Sequence, residues 1–225
     1  MTDWLATLEP AAPDVVAAYR GIDERRLIAV RREVRRRAGE GTVDGLVVQL
    51  AAVADAIAAL VGELPEAAFT LPGGEGDWTV AECVGHDASA RAGLTMAAAL
   101  AASGRWPEDA PTVVPGIPGP AAGREALIGK LAQSQRLIAR SARSIAGHET
   151  DLCPLDHPLV GRLRCGEWLL FAGVHDLMHL AQLRTIAAGA AADAGAGTAK
   201  RAGVGAAADA GEACVTAGDR RVPGV

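Results

Sequence analysis

Residues 166–188 read GEWLLFAGVHDLMHLAQLRTIAA, and the placement of the apolar residues in this run decides the architecture. No proline interrupts it. Leu169, Leu170, Phe171, Val174, Leu177, Met178, Leu180 and Leu183 encircle a helix almost completely instead of forming one stripe. A helix that is apolar on all sides has to be covered on all sides. Either neighbouring helices of the same chain surround it or its outer side is buried in a homodimer, and the sequence favours the homodimer.

Three further helical stretches precede it, separated by Pro and Gly clusters that no helix interior tolerates. The first runs from about Val43 to Glu63, with Leu46, Leu50, Val53, Ile57 and Leu60 at three- and four-residue spacing, and Pro65 ends it. The second opens with Thr79-Val80-Ala81-Glu82, a capping box in which hydroxyl and carboxylate each satisfy a backbone N–H, and runs to about Ala102. The third covers about Ala121 to Ile145 on an incomplete stripe of Leu127, Leu131, Ile138 and Ile145. Residues 103–120 contain five prolines and form a long irregular crossover between helices two and three. The predicted fold is therefore all-α: a four-helix bundle with a long crossover, an extra N-terminal helix and a disordered C-terminal tail.

The ends differ from the middle. Residues 1–40 form an N-terminal extension whose Gly21–Ala38 stretch reads as a helix carrying Arg25, Arg26, Arg31, Arg32, Arg35, Arg36 and Arg37. A solvated charged face is the preferred reading over phosphate contact. Residues 41–188 hold the bundle, and residues 189–225 carry too few large apolar side chains to offset their ordering entropy.

Composition narrows the function classes. Aromatic residues are only 3% of a chain that is 50% hydrophobic, which disfavours a β-sandwich. The formal charge of -5 provides no whole-chain basic field, so nucleic acid and anionic lipid are excluded as partners in favour of a small-molecule substrate. The amino terminus lacks a signal pattern, and no uncharged apolar run approaches the roughly 20 residues of a membrane span. The expectation is a soluble, cytoplasmic protein. Cys83, Cys153, Cys165 and Cys214 form no Cys-x-x-Cys pair and read as reduced thiols.

His175-Asp176-Leu177-Met178-His179 places two imidazoles on neighbouring turns of one helix face, where they are able to share one ion. That face also carries Trp168, Phe171, Met178 and Gln182, so it points to the core. Two buried neutral imidazoles need partners for their ring nitrogens, and a metal ion supplies them. His86, two turns into helix two, is the best third ligand, because Ala90, Gly93 and Ala97 along its face leave room for an open coordination position. Glu82 is assigned to the capping box, with a role as base the alternative. Gln182 reads equally as a hydrogen-bond partner of a histidine or ligand and as helix-packing polarity. Cys83 reads as a small buried side chain that lies within reach of the same ion. Trp78 and Trp168 read as core anchors that are able to wall a pocket. Asp176 is taken as exposed or interfacial, His157 as a loop cap, and His148 as a helix-terminus cation.

The stretch from Asp77-Trp78-Thr79-Val80-Ala81-Glu82 to His86 resembles the opening of helix two in the DinB-like superfamily, the four-helix metalloproteins that include YfiT-type proteins. His157-Pro158-Leu159-Val160-Gly161-Arg162-Leu163, then Glu167-Trp168 and His175 through Leu183, resemble that family's turn and last helix. The resemblance covers roughly residues 43 to 188. It implies a divalent ion held by three histidines, which map onto His86, His175 and His179. Zinc is the default ion on availability, with nickel or iron as alternatives. It also implies a metal-dependent transferase that activates a low-molecular-weight thiol cosubstrate of the mycothiol or bacillithiol kind. A hydrolase, a mycothiol-dependent isomerase or a non-catalytic binding protein are the alternatives. Some isomerase-type relatives replace one of the paired histidines by a carboxylate and add a C-terminal domain; this chain has neither feature, which lowers the isomerase reading.

Overall fold

The computed structural model describes residues 3–21, 42–74 and 77–208, with side chains up to residue 190. The chain divides into two units, Met1–Ala187 and Ala188–Val225. The first contains everything that bears on the site. Its elements are α1 (Trp4–Leu8), α2 (Pro13–Arg20), α3 (Val43–Glu63), a 3-10 turn (Glu66–Thr70), α4 (Val80–Ala102), α5 (Arg124–Ile145), β1 (Leu152–His157), β2 (Gly161–Arg164) and α6 (Cys165–Ala208).

The four predicted bundle helices are present as α3, α4, α5 and α6. Both bounds of α3 fall where the periodicity put them, with Thr42 accepting from the Gly45 N–H as N-cap. The Thr79–Glu82 capping box starts α4. Leu46, Leu50, Val53, Ile57 and Val61 of α3 are buried with Leu127, Leu131, Ile138 and Ile145 of α5, as the apolar spacing requires. By length and composition alone α3 is apolar enough to cross a membrane, although Asp44, Asp55 and Glu63 leave no uncharged run of that length. Its buried face shows how the same composition serves a central bundle helix.

The structure adds detail to the sequence-based picture. The apolar girdle of α6 is covered within a single chain: Trp168, Leu169, Leu170, Phe171, Val174 and Leu177 are all fully buried. Burial of the girdle thus requires no second copy. Part of the cover comes from β1 and β2, an antiparallel hairpin that the sequence did not announce, joined to the crossover by Val114 N–H donating to Asp156 O at 2.9 Å. Part comes from α1 and α2, where Val15 sits against Gly173; a Cβ there would meet both Val15 methyls at 2.9 Å. Gln49 of α3 fastens this N-terminal pair, accepting from the N–H groups of Asp14 and Val15 at 2.9 and 3.2 Å. The described backbone of α6 extends to Ala208. The Arg-rich stretch from residue 22 to 41 and residues 209–225 lie outside the described residues.

Candidate metal centre

The capping box sets the phase of α4, and that phase brings His86 beneath α6. Ring centroids of His86 lie 5.4 Å from His175 and 5.3 Å from His179, and those of His175 and His179 are 4.6 Å apart. Each ring offers a nitrogen such that all three lie within 4.8 Å of one another, close enough that small side-chain adjustments would let them share one ion. His175 and His179 are buried; His86 is half-buried and closes the cluster from the cavity side.

Oxygen atoms orient two of these rings. His86 Nδ1 lies 2.8 Å from the Ile117 carbonyl and His179 Nδ1 lies 2.9 Å from Gln182 Oε1. A carbonyl oxygen takes only a proton donor, so His86 Nδ1 carries the hydrogen and Nε2 keeps its lone pair. Metal-ligating histidines need this arrangement, and the residues present therefore fit a divalent ion. Behind His175, Asp87 Oδ1 is 3.8 Å from Nδ1.

Asp176 was placed wrongly by the sequence reading. It is fully buried, and its Oδ2 accepts from Arg91 Nε at 2.8 Å with both side chains 0% exposed. Arg91 also donates to Ser134 Oγ at 2.9 Å, to the Leu50 carbonyl at 2.8 Å and to Gln135 Oε1 at 3.1 Å. One guanidinium thus ties α4 to α6, α5 and α3. Burial raises the pKa of Asp176; the Arg91 guanidinium opposes this and the neighbouring Asp87 carboxylate adds to it. Both Asp87 oxygens and Asp176 Oδ1 are buried with no hydrogen-bond partner among the described residues. Asp87, His175 and Asp176 also lie close enough together to form a second set of ligand atoms on the far side of the His175 ring.

A cavity of about 410 Å³ opens onto the three imidazoles. Trp78 and Gln182 line it, with the Trp78 ring 4.9 Å from that of His86. Trp168 does not reach it and is a core anchor against Phe171. Glu82 is held by the Thr79 N–H and hydroxyl, bonds that also lower its pKa, and is structural. Cys83 Sγ lies 3.5 Å from the Gly73 carbonyl, away from the three rings. His148 pairs with Asp151 at 2.8 Å beyond the end of α5.

His157 is the wall residue that sequence reasoning missed. Read as a loop cap, it lines the cavity from β1, and its Nδ1 accepts from the Leu159 N–H at 3.0 Å. Nε2 therefore carries the proton. Burial first, then the neighbouring His175 and His86, lower its pKa to about 4. The unfolded chain, with an ordinary histidine near 6.5, takes up this proton first. Folding stability is therefore fully present above about pH 6.5 and declines as pH falls through 4. The His157→Gln variant is expected to flatten that decline in urea midpoints measured between neutral and acid pH; an unchanged slope would count against a neutral His157.

The described cysteines are buried and form no disulfide with one another, and burial pushes the Cys165 thiol up to about 12. A family model described as the DinB superfamily matches residues 49–183. No curated protein and no solved structure matches the chain.

Proposed function

The chain belongs to the DinB superfamily, and on that premise we propose that it is a metal-dependent transferase in which a divalent ion at His86, His175 and His179 activates a low-molecular-weight thiol. The observation that carries this reading is the convergence of three imidazoles, two of them oriented through Nδ1 by oxygen acceptors, on a cavity of about 410 Å³. A bound ion with neutral nitrogen ligands supplies Lewis acidity that lowers the pKa of a thiol at its open position. Zinc is the default; nickel and iron suit the same donors.

The chain's own residues do the rest. Ile117 and Gln182 hold the rings in one tautomer and orientation. Trp78, Leu94 and Val114 exclude water from the sulfur. His157, neutral and protonated on Nε2, offers a donor to the leaving group. The thiol proton passes to solvent, the sulfur lone pair forms the new C–S bond, and the leaving group departs with the pair of the broken bond. Among the described residues no cysteine offers an accessible thiol, since Cys83, Cys153 and Cys165 are buried and burial raises the Cys165 pKa to about 12, which favours a thiol from outside. No Asp or Glu lines the cavity among the described residues, which favours thiol transfer over a hydrolase needing a carboxylate base.

Metal analysis of untagged protein should find about one ion per chain in the wild type and little in His175→Ala. Turnover should appear only with some members of a panel of thiols and electrophiles. Equal metal content in both proteins would end the metal reading, and loading without turnover would leave a binding protein.

A further inference from the structure

A second cavity, about 370 Å³, continues from the first along α4. The two share His86, Ala90, Leu94, Val114 and Pro115, so they adjoin at the candidate ligand His86. Gly93, Met96, Ala97 and Leu100 form one wall, and Trp106 and Val113 of the crossover form the other. No charged side chain lines it; His86 and Ser89 are the polar ones. Met96, Val113 and Ile117 are 47%, 58% and 59% exposed, a concentration of large apolar surface that a folded chain ordinarily covers.

We propose that this groove seats the hydrocarbon part of the cosubstrate that the thiol attacks, a neutral electrophile bearing an alkyl or aryl group; the identity of that cosubstrate rests on the thiol-transfer reading. A low-molecular-weight thiol with its hydroxyls and carboxylates would lose water here without gaining partners. The groove adjoins the histidine cavity at His86, and that adjacency to a candidate metal ligand points to a reacting small molecule over a partner protein.

Butanol, hexanol and octanol serve as neutral probes, and the methionines report on them. Met96 lines the groove, whereas Met178 lines the histidine cavity. In the metal-loaded full-length protein with isotope-labelled methionine methyls, the Met96 signal should respond saturably and Met178 should not. Affinity should rise about three- to fourfold per added methylene. Gly93→Phe should abolish the Met96 response; a Cβ at Gly93 meets nothing within 4 Å, so the ring enters the groove without displacing the helix. Absence of chain-length dependence in the wild type, or an unchanged response in Gly93→Phe, would overturn the proposal. So would a Met96 shift that follows protein concentration without alcohol, which would make the groove a contact between copies. Repeating the series on His175→Ala separates the two readings: a persistent Met96 response in protein without metal keeps the groove even if thiol transfer fails.

Discussion

Replacing Arg91 by leucine is expected to lower the unfolding free energy by about 3–5 kcal/mol, one of the largest losses available to a single substitution in this chain. The guanidinium is 0% exposed, and its removal leaves the Asp176 carboxylate in the core without its counter-charge. The Leu50 carbonyl, Ser134 and Gln135 lose a donor at the same time. Leucine fills part of the volume but offers nothing to these acceptors. The companion test is the double variant Arg91→Met with Asp176→Leu, which removes both charges. It should be more stable than Arg91→Leu by about 1 kcal/mol or more in urea unfolding, because the isolated buried carboxylate is gone. A double variant no better than the single one would show that the neighbouring acceptors, and not the ion pair, set the loss.

Gly119→Ala is expected to weaken metal binding about 10- to 100-fold in chelator competition without altering any of the three imidazoles. The crossover docks backbone to backbone on α4: Gly119 N–H donates to the Glu82 carbonyl at 3.2 Å. A Cβ on Gly119 would fall onto the main chain of Gly85 and His86, reaching the Gly85 carbonyl oxygen at 2.6 Å. Backbone has no rotamer with which to move aside. The crossover has to lift, and with it goes the Ile117 carbonyl that orients His86 Nδ1. Gly116→Ala, in the same crossover but with nothing within 4 Å of its Cβ, serves as the control and should bind as the wild type does. Equal affinities for the two variants would detach His86 orientation from crossover docking.

The bundle helices were legible because their signals are local: periodicity in α3 and α5, a capping box at α4, proline breaks between. The approach of His86 to His175 and His179 was legible for a related reason, since each lay on the apolar face of its helix. Arg91 and Asp176 were not. A charge inside an apolar run reads as outward-facing unless its partner is known, and here the partner lies on another helix, 85 positions away in sequence. Two lone opposite charges, one in an Ala-rich helix and one in an apolar girdle, were the available signal. The hairpin escaped because Pro154 and Pro158 interrupt a short strand pattern whose register itself shifts between Leu152 and Asp156. With the hairpin unseen, His157 had no wall to stand in.

The notch that Gly173 leaves for Val15 bears on the family's evolution. The segment occupying it lies outside the matched range 49–183, whereas Gly173 lies inside it. A relative that dispensed with the segment would be left with a dent over α6, and a bulkier residue at the position of Gly173 is the simplest repair. Covariation between that one site and the presence of an N-terminal appendage would therefore be the evolutionary trace of how this bundle acquired its lid.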